Sequence, residues 1–176
     1  NSMAPISLLA LSFLNPTAEA FAPSDEVFVG IEPHRILTVH ASHQHRLRKT
    51  EGWQDFVQGE GEGWMARFDE RTGTAHRAWG AGIELHDISD PFSVEDSMRR
   101  FMEKYRLLIG VESDQLVLEN AGYIARTDTW YVQFRRVEQG IPVIGGGVTA
   151  RIRHGKLVLF GVDTYPQATG IGISPE

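Results

Sequence analysis

The segment WYVQFRRVEQGIPVIGGGVTARIRHGKLVLFGVDTYP, from Trp130 to Pro166, decides the fold because its residues alternate in the manner of β-strands. Every second side chain in residues 130–134 is apolar, a period that indicates a strand buried on one face. Residues 148–153 repeat the alternation, and the largely apolar run 156–162 predicts a central strand. The segment therefore predicts three or four strands, separated at residues 138–140, 145–147 and 154–155.

Glycine and proline define the predicted turns. The predicted turn residues are Gly140, Pro142, Gly145, Gly146 and Gly155. Gly140 is expected to supply a positive φ, and Pro142 fixes the local backbone. The triplet 145–147 is followed by neither the Lys-Ser/Thr pair nor the helix start of a phosphate-binding loop. A tight bend or a bulge is therefore predicted there.

Upstream of the strands, the sequence predicts one long amphipathic helix from Ser93 to Ile109. Ser93 and Asp96 are close to a capping box, and Gly110 fits the position just after a helix. Apolar residues at helical spacing form one stripe, at Val94, Met98, Phe101, Met102, Tyr105, Leu108 and Ile109. A helix followed by antiparallel strands indicates an α+β fold, in which the sheet buries this stripe.

Residues 21–90 are predicted to form a β-rich N-terminal extension. A short strand is expected around Ile36 and Val39, followed by a polar, basic stretch over residues 40–50. Trp64, Ala66 and Phe68 alternate with other side chains. Because residues 69–73 are typical of a turn, this strand is predicted to form a hairpin with residues 74–79.

The order of these motifs resembles the fungalysin/thermolysin-type propeptide (FTP) domain, which precedes the catalytic domain of secreted zinc metalloproteases. The resemblance rests on the aromatic strand, the GIPVIGG turn at 140–146, the Gly155-Lys156 hairpin and the upstream helix, and it covers roughly residues 92–168. A weaker resemblance, to the segments preceding that domain, involves residues 63–69, 72–74 and 79–83. The resemblance to the FTP domain implies a cystatin-like domain over residues 91–170.

Both ends of the chain carry separate signals. Residues 1–20 hold the apolar run Ala4–Leu14 and then Ala18-Glu19-Ala20, so they are either signal-like or an arm that packs on the protein. The run is shorter than the ~20 residues that span a bilayer, and no transmembrane helix is expected. Residues 171–176 end in Ser-Pro-Glu, typical of a helix start. The resemblance implies that a second propeptide domain, of the PepSY-like kind, begins there.

Composition and motifs exclude several functions. The chain of 176 residues has no cysteine, so thiol catalysis, disulfides and cysteine-based zinc sites are excluded. A net charge of −6 argues against general nucleic-acid binding. Neither His-Glu-x-x-His nor Gly-x-Ser-x-Gly occurs, and we predict that these residues are not an enzyme.

Histidines at His40, His43 and His45 are the best metal candidates, with His34 nearby. His43 and His45 would share a face of a strand, whereas His40 and His43 would pair on a helix. Cations follow the cluster at residues 46, 48 and 49 and disfavour a dication. A solvated loop without metal is therefore predicted, and the resemblance implies zinc only in a downstream catalytic domain.

One charged surface is also predicted. Residues 121–160 hold six Lys or Arg against two acids, a local charge of +4. By strand parity, the polar face of the sheet carries Tyr131, Gln133, Arg135, Arg151 and Arg153. This face is either solvated or a docking face for an acidic surface, since arginines and aromatics are favoured at interfaces.

Three functions follow as hypotheses. The resemblance implies a secreted or periplasmic, non-catalytic propeptide that assists folding of a zinc metalloprotease and inhibits it, with the catalytic domain and second propeptide domain as partners. The second hypothesis is a stand-alone protein-binding or protease-inhibitory module. The third is a histidine-dependent metal-binding protein of the envelope.

Overall fold

The computed structural model describes residues 36–164. The predictions for residues 1–20, for residues 171–176 and for His34 lie outside the described residues. Among residues 36–164, no helix is both long and apolar enough to cross a membrane.

The described chain has an α+β fold, as the sequence predicts. Its helices are α1 Ala41–Leu47, α2 Glu51–Glu60, α3 Pro91–Lys104 and α4 Arg106–Ile109. Its strands are β1 Met65–Arg67, β2 Arg77–Glu84, β3 Leu116–Ile124, β4 Thr129–Glu138, β5 Ile141–Arg153 and β6 Lys156–Asp163. They form one antiparallel sheet in the order β1-β2-β6-β5-β4-β3. The predicted central position of β6 is confirmed.

The N-terminal part differs from its prediction. Residues 36–40 contain no strand, and α1 and α2 occupy most of 41–60, so a β-rich description is wrong for this part. Two large aromatics of α2, Trp53 and Phe56, are buried three residues apart on one helical face, which anchors the helix to the core. The predicted hairpin is confirmed, because β1 pairs with β2 and Met65 lies opposite Trp79.

The predicted helix 93–109 is two helices. Asp90 is the N-cap rather than Ser93: its carboxylate accepts hydrogen bonds from the backbone N–H groups of Phe92 and Ser93. Regular geometry ends at Lys104, because Tyr105 leaves the helical region at φ −115° and ψ 36°. The whole predicted stripe is nevertheless buried. Gly110 is left-handed at φ 68°, which confirms the predicted helix end.

The turns of the sheet follow the prediction in two of three places. Gln139-Gly140 and His154-Gly155 both have two positive φ angles, which suit the two-residue hairpins joining β4 to β5 and β5 to β6. The predicted positive φ of Gly140 is confirmed. The triplet 145–147, however, does not separate strands. It lies inside β5, where residues 143–146 bulge opposite Arg136.

The core lies between the helices and one face of the sheet. Its centre is a group of aromatic rings in which Phe56 contacts Trp64, Phe101 and Phe160 at centroid distances of 5.1, 6.4 and 5.4 Å. The strands contribute alternate side chains, including Trp130, Val132, Phe134, Val148, Ala150 and Ile152. We call this side of the sheet the covered face.

Candidate functional site

The opposite side of the sheet carries the predicted interaction residues. We call this side the open face; its residues are Met65, Arg67, Arg77, Trp79, Glu119, Tyr131, Gln133, Arg135, Thr149, Arg151, Arg153 and Leu159. In the described chain these side chains are exposed or half-buried, whereas their strand neighbours are mostly buried in the core. The prediction that Tyr131, Gln133, Arg135, Arg151 and Arg153 share the polar face of the sheet is therefore confirmed.

Strand register aligns open-face side chains across the sheet. Met65 lies opposite Trp79, Trp79 opposite Leu159, Leu159 opposite Arg151, and Arg151 opposite Tyr131. The row therefore joins two aromatic rings, two aliphatic side chains and one guanidinium over five strands. Such a mixture is typical of the central part of a protein interface.

A stacked pair stands at one end of this row. The Arg151 guanidinium lies over the Tyr131 ring at 4.9 Å from its centroid, within the range of a cation–π contact. Arg77, Gln133, Thr149 and Leu159 are among the residues that line a shallow depression around the pair. The stack holds a cation and an aromatic ring together at the surface.

Ion pairs neutralise part of the predicted positive charge. Arg135 pairs with Glu119, which also accepts a hydrogen bond from Gln133 Nε2 at 2.8 Å. Glu119 lies just outside the positively charged segment 121–160. Arg77, an open-face residue outside that segment, also pairs with a carboxylate, Asp163, at 3.2 Å. Arg136, which belongs to that segment, is buried on the covered face.

The positive character of the open face therefore rests on fewer residues than predicted. In the described chain, neither Arg151 nor Arg153 forms an ion pair with a carboxylate. Arg153 lies opposite Thr129, at the hairpin end of β5. Two cations free of acidic partners on one strand make this part of the face suited to a negatively charged surface.

Sequence reasoning missed the contribution of β2 and β6 to this face. Arg77, Trp79 and Leu159 lie in strands whose side chains alternate between the two faces. Their place on this face depends on the pairing of β2 with β6, which lie more than 70 residues apart in sequence. Of the predicted turn residues, Gly140 and Gly155 lie in the hairpin turns, and Gly145 and Gly146 lie in the β5 bulge. Pro142 was predicted as a turn residue but lies in β5, where it pairs with Val137.

A second group of polar side chains surrounds Glu70, in the turn after β1. The Nδ1 atoms of His40 and His43 lie 2.6 and 3.2 Å from Glu70 Oε2. The helical alternative for the histidines is thereby confirmed: His40 and His43 converge, while His45 is exposed on α1 outside the cluster. The predicted solvated loop is wrong, since α1 occupies residues 41–47.

The electrostatics of Glu70 follow from its surroundings. Burial of the carboxyl would by itself raise its pKa, but hydrogen bonds from the His40 backbone and ring, from Gln44 and from His43 lower the pKa to about 2. Glu70 is therefore ionised at neutral pH and acts only as an acceptor.

A third polar group joins α2 to the end of α3. Lys104 Nζ lies 2.7 Å from Glu60 Oε1, and the Tyr105 hydroxyl donates to the same oxygen. Burial would raise the pKa of Glu60, but hydrogen bonds from Lys104 and Tyr105 lower it. These contacts connect two helices at the edge of the aromatic core. We therefore assign this polar group a role in helix packing and not in function.

Comparison with known proteins provides no relative: no protein-family model, no curated protein and no solved structure matches the chain.

Proposed function

We propose that this chain is a non-catalytic propeptide region of a zinc metalloprotease precursor, which binds the catalytic domain through the open face. The observation that carries the proposal is the surface around Tyr131, Arg151 and Arg153. Arg151 stacks on Tyr131 there, and neither Arg151 nor Arg153 pairs with a carboxylate of residues 36–164. Surfaces of this composition are favoured for recognition of an acidic protein partner.

The motif order gives independent support. The GIPVIGG segment begins at the β4–β5 hairpin turn and leads into the β5 bulge, between the aromatic strand and the Gly155-Lys156 hairpin. These are the pieces that resemble the FTP domain. The proposal accordingly extends to a cystatin-like unit formed by α3 and the strands β3 to β6, and to a secreted or periplasmic location.

The chemical role is that of a template. A preformed sheet surface that binds the native catalytic domain, and not its unfolded chain, shifts the partner's folding equilibrium toward the native state. The complex then remains inactive until proteolysis removes the propeptide. Zinc would belong to the downstream catalytic domain in this proposal.

The first test is the native reading frame beyond Glu176. We expect a domain with a His-Glu-x-x-His motif within the following few hundred residues. That domain, purified separately, should bind this chain, and its refolding yield should rise when the chain is present. A reading frame without such a domain would contradict the zymogen proposal and favour a stand-alone binding module.

The second test addresses the binding surface. The double charge reversal Arg151→Glu/Arg153→Glu should weaken binding to the catalytic domain about tenfold or more, or by ~1.4 kcal/mol. It should also flatten the dependence of affinity on salt. Calorimetric titration at several ionic strengths measures both effects.

A matched control separates the open face from net charge. Arg106→Glu/Arg126→Glu makes the same change in charge at two exposed arginines that are not open-face residues, on α4 and the β3–β4 turn. The control should retain most of the affinity. If both double variants weaken binding equally, the effect is one of total charge and the proposed docking face is wrong.

A further inference from the structure

We propose that His40, His43 and Glu70 form a binding site for a divalent transition-metal ion of the zinc type, separate from any downstream catalytic zinc. One ring nitrogen from each histidine and one carboxylate oxygen of Glu70 all lie within 4.8 Å of one another. Imidazole and carboxylate are ordinary zinc ligands. The proposal concerns these side chains and is independent of the propeptide function.

The separations are close to those that a metal ion requires. With zinc–ligand bonds of about 2.0–2.2 Å, two ligands of a tetrahedral ion lie about 3.3–3.6 Å apart. His43 Nδ1 is already 3.2 Å from Glu70 Oε2, and His40 Nδ1 is 2.6 Å from the same oxygen. The histidine side chains are 61% and 47% exposed, so both rings can rotate around an ion at little cost.

Glu70 is held in place before any ion binds. Its side chain is only 1% exposed. The His40 backbone N–H donates to Oε1 at 2.7 Å, and Gln44 Nε2 donates to the same oxygen at 3.3 Å. Because these donors engage Oε1, the other oxygen, Oε2, faces the two imidazoles. Outer hydrogen bonds of this kind orient carboxylate ligands in metal sites.

Gln44 in turn is fixed by the sheet. Its amide donates to the Phe68 carbonyl at 2.8 Å and accepts from the Phe68 N–H at 2.9 Å, so it pairs with the chain at the end of β1. The Glu70 N–H also donates to the Leu37 carbonyl at 2.7 Å. Hydrogen bonds from both sides of the site therefore hold Glu70 in position. They limit the reorganisation that metal binding would require.

The charge balance of the cluster permits a dication. The cluster offers one carboxylate, from Glu70, beside two imidazoles. The cations that follow α1 do not occupy the site: Arg48 donates to the Ala66 carbonyl at 3.0 Å, and no Arg or Lys of the described chain pairs with Glu70. The exposed rings leave the remaining coordination positions open to water.

A bound ion would join the start of α1 to the turn between β1 and β2. These segments are about 30 residues apart in sequence and are connected at the cluster by hydrogen bonds. Since an ion that binds only the folded chain stabilises it by mass action, zinc should raise the melting temperature.

The test is calorimetric titration of the whole chain with Zn²⁺, after treatment with a chelator, together with thermal denaturation. We expect saturable binding at one strong site and a rise in melting temperature with zinc. Glu70→Gln and His43→Gln should each lower the affinity at least about tenfold. His45→Gln, which changes an exposed histidine of the same helix outside the cluster, should leave the affinity unchanged.

Two measurements keep the test decisive. Far-ultraviolet circular dichroism establishes that each variant is folded; if Glu70→Gln is not, the exposed His43→Gln variant carries the comparison. Co²⁺ replaces Zn²⁺ as a spectroscopic probe, and its visible bands should change in the His43→Gln variant and remain in His45→Gln. Absence of saturable zinc binding by the folded chain, or equal losses in His43→Gln and His45→Gln, would overturn the proposal.

Discussion

The two faces of the sheet are built by the same strands yet have opposite chemistry. On β4, the covered face carries Trp130, Val132 and Phe134, while the open face carries Tyr131, Gln133 and Arg135. The covered-face side chains stabilise the fold because they bury apolar surface against the helices, at roughly 25 cal/mol per Å². The second set remains in contact with solvent and contributes surface chemistry. One alternating sequence therefore specifies both the core and the candidate interface.

In residues 36–164, an arginine also lies over an aromatic ring on each face, and the two arginines differ in the other groups that they contact. Arg99 of α3 lies 5.4 Å from the centroid of Phe134 on the covered face, where it pairs with Glu95 and donates to the carbonyls of Ser113 and Leu116. On the open face, Arg151 stacks on Tyr131 without a carboxylate partner in the described chain. The guanidinium of Arg99 already donates hydrogen bonds within the protein, whereas that of Arg151 retains N–H donors for a partner.

The largest expected difference between the faces is in stability. Phe160 is fully buried and contacts Phe56, Trp64 and Phe101, with centroid distances of 5.4, 5.9 and 5.1 Å. Phe160→Ala should lower the free energy of unfolding by ~3–5 kcal/mol, since it removes a ring and leaves a cavity. Urea denaturation measures the change.

Tyr131→Ala is the comparison on the open face. It removes a ring that is partly exposed and stacked only at the surface, so the loss should stay below ~1 kcal/mol. Similar losses in the two variants would mean that the open face is buried in the folded protein, and the contrast between the faces would fail.

A smaller effect is expected at the boundary between regular β5 and its bulge. Gly147 lies opposite Arg135, and a β-carbon there would overlap the Phe134 carbonyl oxygen. Gly147→Ala should therefore destabilise the protein by ~1–3 kcal/mol, because the backbones of β4 and β5 must separate. Thermal denaturation measures the loss. Gly140→Ala is a useful reference, since it adds strain at φ 81° without any neighbour near the new methyl group.

The last effect concerns acid, and it applies to the Glu70 cluster rather than to either face. The pKa of Glu70 is lowered to about 2 in the folded protein, below the ordinary value of 4.5. Its contribution to stability is therefore fully present above about pH 5 and is lost as the pH falls toward 2. In metal-free protein, the difference in stability between wild type and Glu70→Gln should shrink over this range. A difference that grows on acidification would contradict the assignment.

Local patterns predicted much of the fold. The parity of β4 and β5, the two hairpin turns and the buried stripe through Val94, Met98 and Phe101 follow from side-chain periodicity and glycine conformation. Two helices were missed, because α1 is short and polar and α2 contains two glycines, which have low helix propensity. Their positions depend on contacts such as the burial of Trp53 and Phe56, which no local pattern expresses.

The candidate sites were predicted less completely. The sequence placed Tyr131, Arg151 and Arg153 on one face, but it could not show that Glu119 neutralises Arg135. It also indicated that His40 and His43 would pair on a helix, yet Glu70 was missed, because a turn about 30 residues away brings it to the cluster.

By itself, the sequence determined which side chains face the core and where the chain turns, because these depend on the period of a strand or a helix and on local backbone sterics. Only the tertiary structure decided which strands are neighbours, which cations keep no acidic partner, and which carboxylate meets the two histidines. These outcomes depend on strand register and on the closure of loops between distant segments, and both are fixed by the packing of the whole core.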